Sequence, residues 1–501
     1  MSEKKFTLLD LATENTKAYG EHVIQQRSLV DIRDALKPVA RRIIWAMGPG
    51  KGNLNLKPGS PFVKCARVVG DTIGKYHPHG DTSIYEALVN MAQSNYFTNN
   101  LIEGQGNFGG WNDNAAAYRY TECRLSKIAW EAYLDPDYLE ICKLEPNYDG
   151  QQEEPFVLPC KLPMILLNGT YGIAVGATGA IPPIHPDTIK KLISRWLSRK
   201  EVTAEYIFKH LKFNWFYGSD CVSSDDDIKR WIKSGSQSLH FCPDYVIDSA
   251  KRTITFTNVP PFFNWDSVVK KLSGENDRSK EKEKGKAKKF KYDFVATYDN
   301  FTDKTTVAEG RVSDIVVKLK STVKEEDFDK KMQIIIDLFS NGFNCKTNVT
   351  YRNDAEAVDF QRYSIPAIFN AWMEYRVDLE VRMQKNKLKN INEAIARQDL
   401  LILVTDNLDL VIKTIRHSLA PKEDLMKKLK LDEAQAEYIL SMEMRRISKL
   451  SQNEVLKTKK RLLGEKKEAK YNRDNPNPKV EKDLAKGLAL ISKSVTMKVP
   501  A

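Results

Sequence analysis

The feature that most constrains the fold of this chain is the absence of glycine from residues 343–463, where the only prolines are Pro366 and Pro421. Glycine and proline interrupt helices more often than other residues, so this stretch favours long helices. Apolar residues recur there at helical spacing, first as Phe369, Trp372, Leu379 and Met383 and then as Leu388, Ile391 and Ile395. The pattern predicts a long antiparallel helical hairpin, with a small helical knob at its tip formed by residues 400–417 and 436–448.

The rest of the chain predicts several further domains, because 501 residues exceed one ordinary core. We expect an N-terminal helical arm at 1–27, a domain rich in helices and glycine turns at 28–185, a mixed α/β domain at 186–355, the hairpin at 356–463 and a loosely ordered, basic polar tail at 464–501. The expected fold class is therefore multidomain α+β. Inside the mixed domain, residues 274–289 form a charged run that predicts a solvated loop, with a DNA-tracking loop as the alternative.

Charge indicates a polyanionic partner. The net charge is +12 and the pI is about 9.0, and basic side chains on a phosphate backbone gain affinity by releasing counterions. We expect nucleic acid as the leading partner, with ribosome-associated and lipid-surface proteins as alternatives that share a basic pI. No membrane span or signal peptide is expected, which indicates an intracellular protein. Seven cysteines without a CxxC pair predict neither a disulfide framework nor a zinc site.

The most informative segment is GQGNFGGWNDNAAAYRYTECRLSKIA, which begins at Gly104. Its glycines predict a tight loop, and the loop is followed by Arg119 and Tyr120. A tyrosine phenol has a pKa of about 10, so phosphoryl transfer to tyrosine needs neighbouring cations to stabilise the phenolate. Arg119 supplies one. Tyr118 remains open as an alternative nucleophile, because alternate side chains of an extended stretch share a face.

Two further segments predict a DNA-reading surface. Pro38 suits the first turn of a helix on which Arg41 is expected to project outward, with Arg42 beside it. The segment CARVVGDTIGKYHPHGDTSIYEALVNMAQ predicts two helices joined by a turn, with Asp81 as N-cap of the second, the arrangement of a helix-turn-helix. His77 and His79 lie in that turn, where a zinc site is only a weak alternative.

These motifs together resemble the gyrase A and topoisomerase IV C-subunit family of type IIA DNA topoisomerases. The resemblance rests on the order RSLVDIRDALKPVARR, ARVVGDTIGKYHPHGD, GQGNFG, AAAYRYTE with RLSKIA, NGTYGIAVG and IPP. Within the family the chain is most similar to the medium subunit of phage-type topoisomerases, since it ends soon after the hairpin, where no β-pinwheel domain is expected. Ala40 departs from the usual histidine, and Tyr118 from the usual methionine.

The resemblance implies a DNA breakage-and-reunion subunit of an ATP-dependent type II topoisomerase. It implies double-stranded DNA as the partner and a cytoplasmic location, that of the host if the chain is phage-encoded. It implies a winged-helix domain at 28–185, a tower at 186–355, and a coiled coil with the exit gate of a homodimer at 356–463. It implies that Tyr120 forms a 5′-phosphotyrosyl bond and that Arg119, His79 and Arg27 hold the scissile phosphate. The remaining implied residues are the intercalating wedge Ile173, the DNA contacts Lys37, Arg41, Arg42, Lys75 and His77, and the drug-site positions Thr82 and Glu86.

Two motifs that such an enzyme needs are missing from the sequence. There is no GxxxxGK[ST] loop for ATP, and the run Asp225–Asp227 lacks the Glu-containing partner motif of a toprim domain, so it predicts a solvated turn or a helix start instead. No metal site is therefore expected here, and Mg²⁺ and ATP are expected on a toprim- and ATPase-bearing partner subunit. Two rival hypotheses remain, a non-catalytic helix-turn-helix DNA-binding protein with a dimerising coiled coil and a tyrosine recombinase.

Overall fold

A computed structural model gives the fold of the chain. It describes residues 13, 15–16, 19–20, 23–93, 98–109, 114–174, 177–214, 219–260, 263–274, 292–302, 313–352, 358–442 and 452–496. Most of the expected arm at 1–27 and nearly all of the charged run at 274–289 lie outside these residues. The chain divides into two compact units, one of residues 1–376 with 481–501 and one of residues 377–480.

Helices dominate both ends of the described chain. After a π-helix at Ile24–Ser28, the α-helices are α1 (Pro38–Met47), α2 (Cys65–Lys75), α3 (Asp81–Ala92), α4 (Lys127–Tyr133), α5 (Pro136–Leu139), α6 (Met164–Leu167), α7 (Pro186–Leu197), α8 (Ala204–His210), α9 (Asp225–Ser234), α10 (Trp265–Leu272), α11 (Glu325–Phe339), α12 (Ile365–Asp406), α13 (Leu408–His417), α14 (Pro421–Leu429), α15 (Glu433–Ser441), α16 (Gln452–Asp474) and α17 (Pro476–Thr496). None of the helices in this part of the chain has both the length and the apolar composition that a membrane span requires.

The strands form separate, mainly antiparallel sheets. They are β1 (Val63–Lys64), β2 (Ile102–Gln105), β3 (Glu122–Leu125), β4 (Leu144–Pro146), β5 (Glu153–Pro155), β6 (Thr170–Ala174), β7 (Ala177–Ile181), β8 (Asp220–Cys221), β9 (Ser236–Cys242), β10 (Tyr245–Asp248), β11 (Thr253–Phe256), β12 (Val295–Asn300), β13 (Ile315–Leu319), β14 (Asn341–Arg352) and β15 (Val358–Arg362). The sheet orders are β1-β3-β2, β4-β5, β10-β11-β13-β12 and β6-β7-β14-β9-β8, with β15 paired to β14. The expected α+β class is confirmed.

Helices α1, α2 and α3 follow the sequence pattern in most respects. Pro38 occupies the first turn of α1, as predicted, and its missing N–H costs nothing there. Ile84, Leu88 and Met91 of α3 are buried, at the spacing of four and three residues that places them on one face of the helix. The cap differs by one residue, since Gly80 is the N-cap of α3 and Asp81 is its first helical residue. The local periodicity was sufficient to place these helices.

The prediction that Arg41 projects outward from α1 is wrong. Arg41 is only 5% exposed, and its Nε lies 2.6 Å from Oδ2 of Asp34, which is fully buried. Its Nη2 donates to Oδ1 of Asp34 and to the carbonyl of Leu36. A buried charge is tolerated when it is paired and hydrogen-bonded, and Asp34 meets both conditions. Arg41 is therefore not available as a phosphate contact.

The largest sheet crosses the expected domain boundary at 185. Strands β6 and β7 precede that boundary, yet β7 pairs with β14, with Lys346 opposite Ala180. Strand β14 also pairs with β9 and β15. The N-terminal segment joins the same strand, since Ile32 N–H donates to the Thr350 carbonyl and Thr350 N–H to the Val30 carbonyl. The regions expected as separate domains at 28–185 and 186–355 thus share one sheet.

The four-stranded sheet carries the core of the mixed α/β region. Its strands β11 and β13 lie within the segments TITFTNV and DIVVKLK, whose β-branched residues favour strands. Helix α10 contributes Val268 and Leu272 to this core, and α11 contributes several more apolar residues. They pack with Ile254, Phe256 and Val317 of the sheet. Asp225–Asp227 form the first turn of α9 behind the N-cap Ser224, as the sequence predicts. Acidic residues are favourable there because they face the positive end of the helix dipole.

The second unit is helical throughout its described residues. Within it, Leu388 and Ile391 of α12 pack against Leu462 and Ala469 of α16. Lys459 pairs with Asp399, so residues late in one helix face residues early in the other and the two run antiparallel. A small core at 400–439, including Val404, Val411 and Leu425, occupies the place of the predicted knob. Residues 443–448 of that prediction lie outside the described chain.

The prediction of a loosely ordered tail after 464 is wrong. Residues 464–474 complete α16, and α17 follows almost at once. In the first unit, Asp483 of α17 lies 3.4 Å from the fully buried guanidinium of Arg376, and Leu484, Leu488 and Ile491 are buried. An apolar stripe at helical spacing explains this order, and the high content of Lys and Glu between the stripe residues concealed it.

Candidate active site

The turn that carries Tyr120 is attached to the start of helix α2. Residues 118–120 form the turn, and Tyr120 N–H donates to the Ala117 carbonyl at 2.9 Å. The carbonyls of Tyr118 and Thr121 accept from the N–H groups of Ala66 and Cys65, the first residues of α2. Amides in the first turn of a helix have no partner within the helix, so these bonds satisfy both and fix the turn.

Tyr120 points into solvent beside a guanidinium. Its side chain is 65% exposed, and Cζ of Arg119 lies 4.8 Å from the centroid of its ring. Hydrogen bonding from Arg119, with the Coulomb attraction of the same group, lowers the pKa of the Tyr120 phenol. The phenolate also raises the pKa of Arg119. A phenol oxygen in this setting is accessible to a phosphodiester and is more easily ionised than an ordinary tyrosine.

Tyr118 has a different environment. Its hydroxyl donates to Oδ2 of Asp81 at 2.9 Å, and this bond raises the pKa of the Tyr118 phenol. The ring also packs edge-on against Tyr85, whose hydroxyl donates to the Ala116 carbonyl. Of the two phenols that the sequence left open, the geometry favours Tyr120 as the nucleophile.

Several of the predicted DNA-contacting residues surround one cavity of about 620 Å³. Its wall contains Arg27, Lys37, Arg42, His77, His79 and Glu86. Burial lowers the pKa of Lys37, so its ammonium group loses its proton more easily than that of an exposed lysine. Arg119 and Tyr120 are not among the residues that line the cavity. The structure thus brings six of the predicted residues together at the cavity and places Arg119 and Tyr120 on the tyrosine turn. The other predicted residues, Arg41, Lys75, Thr82 and Ile173, belong to neither group.

The two histidines form one stacked unit at the cavity wall. Their ring centroids are 4.2 Å apart, with an interplanar angle of 18°. Nδ1 of His77 lies 2.9 Å from Nη1 of Arg42, and since arginine only donates, Nδ1 is the acceptor. Burial, followed by the charges of Arg42, His79 and Arg27, lowers the pKa of His77 to about 4. His77 is therefore a neutral ring at physiological pH.

Arg42 and Lys75 are paired within the chain. Nε and Nη2 of Arg42 bind Oε2 and Oε1 of Glu154 at 2.6 and 2.7 Å. Nζ of Lys75 donates to Oδ2 of Asp71 at 2.8 Å and to the Gly52 carbonyl. The sequence prediction missed Glu154, which lies 112 positions from Arg42. The available signal was the acidic pair at 153–154 before an apolar run, and that signal does not identify a partner.

Ile173 stands on an exposed edge of the large sheet. It lies on β6 opposite Thr178 of β7, and its side chain is 66% exposed. A Cβ on the preceding Gly172 would overlap the backbone carbonyl of Ser28. Only glycine allows this close approach, which holds the hairpin against the segment that carries Arg27. The quoted GIAVG motif is described only in part, since residues 175–176 lie outside the described chain.

The drug-site positions lie on helix α3. Thr82 and Glu86 are both exposed there, and Glu86 faces the cavity with Ser83. In the described part of the chain, no group of three or more His, Cys, Asp or Glu side chains is arranged to hold a metal ion.

Comparison with known proteins gives a consistent result over most of the chain. Residues 27–486 match the family model for the A subunits of DNA gyrase and topoisomerase IV. The chain is 31% identical to the DNA gyrase A subunit of Nocardioides sp., over 89% of this chain and 47% of the relative. It is 32% identical to the DNA topoisomerase 4 A subunit of Neisseria gonorrhoeae, over 86% and 56%. It is 33% identical to the DNA gyrase A subunit of Buchnera aphidicola subsp. Baizongia pistaciae, over 85% and 48%.

The chain thus spans about half the length of the curated relatives it matches. The match includes both the tyrosine turn and the cavity, and it continues through the helices of the second unit. The chain belongs to the family of DNA gyrase and topoisomerase IV A subunits.

Proposed function

We propose that this chain is the DNA breakage-and-reunion subunit of an ATP-dependent type IIA topoisomerase. Such an enzyme makes transient double-strand breaks through which another duplex passes. The observation that carries the proposal is the exposed phenol of Tyr120 beside Arg119, on a turn fixed to the N-terminus of α2. Membership of the family, whose relatives are named as A subunits of DNA gyrase and DNA topoisomerase 4, supports it.

The chemistry is a reversible transesterification. The phenol of Tyr120 gives up its proton, and its oxygen forms a bond to the phosphorus of a DNA phosphodiester. The bond from phosphorus to the 3′ oxygen breaks, and that oxygen leaves and takes up a proton. One phosphodiester is exchanged for a 5′-phosphotyrosyl ester, so religation needs no external energy. Arg119 stabilises both the phenolate and the charge that develops on the phosphate.

The cavity residues would bind the DNA around this reaction. Arg27 and His79 are proposed to hold the scissile phosphate, and Lys37 and His77 to contact the backbone beside it. The exposed Ile173 is proposed to intercalate between base pairs and bend the duplex, at the cost of unstacking one step. Thr82 and Glu86 remain proposed drug-contact positions on α3.

The architecture implied by the family also belongs to the proposal. We assign a winged helix to the region of α1 to α3 and a tower to the mixed α/β region. We assign a coiled coil to the α12–α16 pair and an exit gate to the small helical core, through which two copies would form a homodimer. The location is proposed to be the cytoplasm, because the substrate is DNA.

Magnesium and ATP are assigned to a partner subunit with toprim and ATPase domains. The described residues offer no His, Cys, Asp and Glu cluster for a metal ion, so they do not fit a resident magnesium site.

A cleavage assay with matched tyrosine variants tests the proposal. The chain is mixed with a toprim-bearing partner, magnesium and plasmid, and the reaction is stopped with denaturant. We expect linear DNA with covalently bound protein for the wild type and for Tyr118→Phe. Tyr120→Phe should bind DNA with similar affinity and give no adduct, because the attacking oxygen is gone.

The same assay separates the rival functions. An adduct that persists in Tyr120→Phe and disappears in Tyr118→Phe would contradict the assignment of the nucleophile. Protein attached to 3′ ends would indicate a tyrosine recombinase. Sequence-specific footprints without any adduct would indicate a helix-turn-helix regulator.

A further inference from the structure

The β4–β5 hairpin braces the turn that carries His77 and His79. Nδ2 of Asn147 donates to the Lys75 carbonyl at 2.5 Å, and the Tyr148 hydroxyl donates to the Gly74 carbonyl at 3.0 Å. Both carbonyls belong to the last turn of α2, where no partner within the helix remains. Nε1 of Trp45 in α1 donates to the Glu153 carbonyl. The hairpin therefore holds the end of α2 against α1. The turn with His77 and His79 comes immediately after that end in the sequence.

Glu154 begins a chain of contacts that ends at the cavity. The residue is only 6% exposed, and both of its carboxylate oxygens bind the guanidinium of Arg42. The remaining nitrogen of that guanidinium, Nη1, binds Nδ1 of His77, whose ring stacks on His79. Arg42, His77 and His79 all line the cavity, whereas Glu154 does not.

The energetics favour a positioning role for this carboxylate. A paired, charge-assisted fork between arginine and a carboxylate has one preferred geometry, and it is stronger than a neutral hydrogen bond. Without it, a long arginine side chain would sample many rotamers, and ordering it for the reaction would cost conformational entropy. With Nε and Nη2 held by Glu154, Nη1 is directed at one acceptor, the ring of His77.

We propose that Glu154 is a positioning residue of the DNA gate. It holds Arg42 in the orientation that fixes the His77–His79 stack at the cavity wall. This inference rests on the proposed function in one respect, namely that the stack acts on the DNA backbone. Arg42 is then a structural clamp, and its guanidinium is not a direct ligand of phosphate.

A competing interpretation predicts a different change in DNA affinity when the carboxylate of Glu154 is removed. If Arg42 were a phosphate contact restrained by Glu154, removal of the carboxylate would free the guanidinium for DNA. Affinity would rise, and the slope of log affinity against log salt would steepen by about one unit. A clamp predicts little change in affinity and a slower chemical step.

The principal test compares Glu154→Gln with Glu154→Asp and with the control Glu153→Gln. Glu153 is the exposed neighbour on the same strand, and its substitution leaves the backbone carbonyl in place. With a toprim-bearing partner and saturating DNA, we expect Glu154→Gln to slow adduct formation roughly tenfold or more, because a small displacement of a reacting group has effects of this order. DNA affinity should change less than about threefold, and Glu154→Asp should recover part of the rate.

A double-mutant cycle and a spectroscopic measurement complete the test. Arg42→Gln and Glu154→Gln should together slow cleavage no more than Arg42→Gln alone, because Glu154 acts through Arg42. In the chain without DNA, NMR of labelled histidines should show the pKa of His77, assigned with His77→Gln, rising from about 4 in Glu154→Gln. The rise is expected because the ring becomes less buried and the cation beside it moves away.

Each outcome decides between the two hypotheses. An unchanged His77 pKa in Glu154→Gln, additive effects in the cycle, or tighter DNA binding would overturn the positioning role. The pKa and affinity results do not depend on cleavage by Tyr120, because these two measurements use the chain alone; only the cycle requires cleavage. Failure of the wild type to form any adduct would instead refute the proposed function, and it would leave the NMR result standing.

Discussion

The buried pair of Arg41 and Asp34 predicts a specific loss of stability. In Arg41→Met, the carboxylate of Asp34 would keep only the backbone N–H groups of Leu36 and Leu158, at 3.0 and 3.1 Å. Asp34 is fully buried, so water cannot replace the lost guanidinium without opening the structure. The aliphatic part of methionine fills most of the volume that arginine leaves, so the perturbation is mainly electrostatic.

The magnitude follows from the geometry of the pair. Removing one partner of a buried ion pair costs about 3–5 kcal/mol, because an uncompensated charge remains. Two backbone donors still serve Asp34, so we expect the lower end, about 3 kcal/mol. Since about 1.4 kcal/mol is tenfold, backbone amides of α1 should exchange with deuterium about a hundredfold faster. Hydrogen exchange measured by mass spectrometry on peptides covering 38–47 reports this change locally.

A double variant and a matched control test the cause. Arg41→Met combined with Asp34→Asn should recover at least half of the protection, because the buried charge is gone while an amide oxygen can still accept. Arg67→Met removes an exposed arginine of the adjacent helix α2 and should alter stability by less than about 0.5 kcal/mol. Unchanged exchange in Arg41→Met, together with weaker DNA binding and a shallower salt dependence, would refute the reasoning and make Arg41 a phosphate contact.

Three further predictions follow from the site. Arg119→Gln should move the alkaline rise of the adduct-formation rate to higher pH, because the pKa of Tyr120 returns toward its ordinary value of 10; an unmoved profile would contradict it. As pH falls from 6.5 to about 4, the wild type should become less stable, because His77 takes up its proton at a higher pH in the unfolded chain than in the folded one. Over the same range, the fall in melting temperature should be smaller for His77→Gln. Gly172→Ala should destabilise by about 1–3 kcal/mol through overlap with Ser28, whereas Gly70→Ala, whose Cβ meets only open space, should be neutral or stabilising in the same melts.

Local patterns in the sequence predicted much of the fold. Periodic apolar residues placed α3 and α12, and the acidic run that forms the first turn of α9 was consistent with a helix start. The tyrosine turn could also be named as a candidate site from its residue types, a phenol beside a guanidinium, and its catalytic role stays a prediction. These features depend on neighbours within a few positions, and periodicity reports such neighbours directly.

The remaining features depend on residues that are distant in sequence or on unusual backbone geometry. Arg41 turns inward because Ala35 adopts a left-handed conformation, with φ of 58°, and the turn brings Asp34 beneath α1. Glu154 meets Arg42 through a hairpin whose position no local pattern gives. The boundary expected at 185 fell inside a sheet because β14 arrives from far along the chain, with Lys346 opposite Ala180.

The large sheet has a mechanical consequence for a bent duplex. With the intercalation proposed for Ile173, a base step that presses on this residue would transmit its load through the β6–β7 pairing to β14. From there, backbone hydrogen bonds at Thr350 carry the force to Val30 and Ile32, close in sequence to Arg27. Curvature imposed on the DNA and the placement of the arginine would then change together, because both depend on the same stiff backbone.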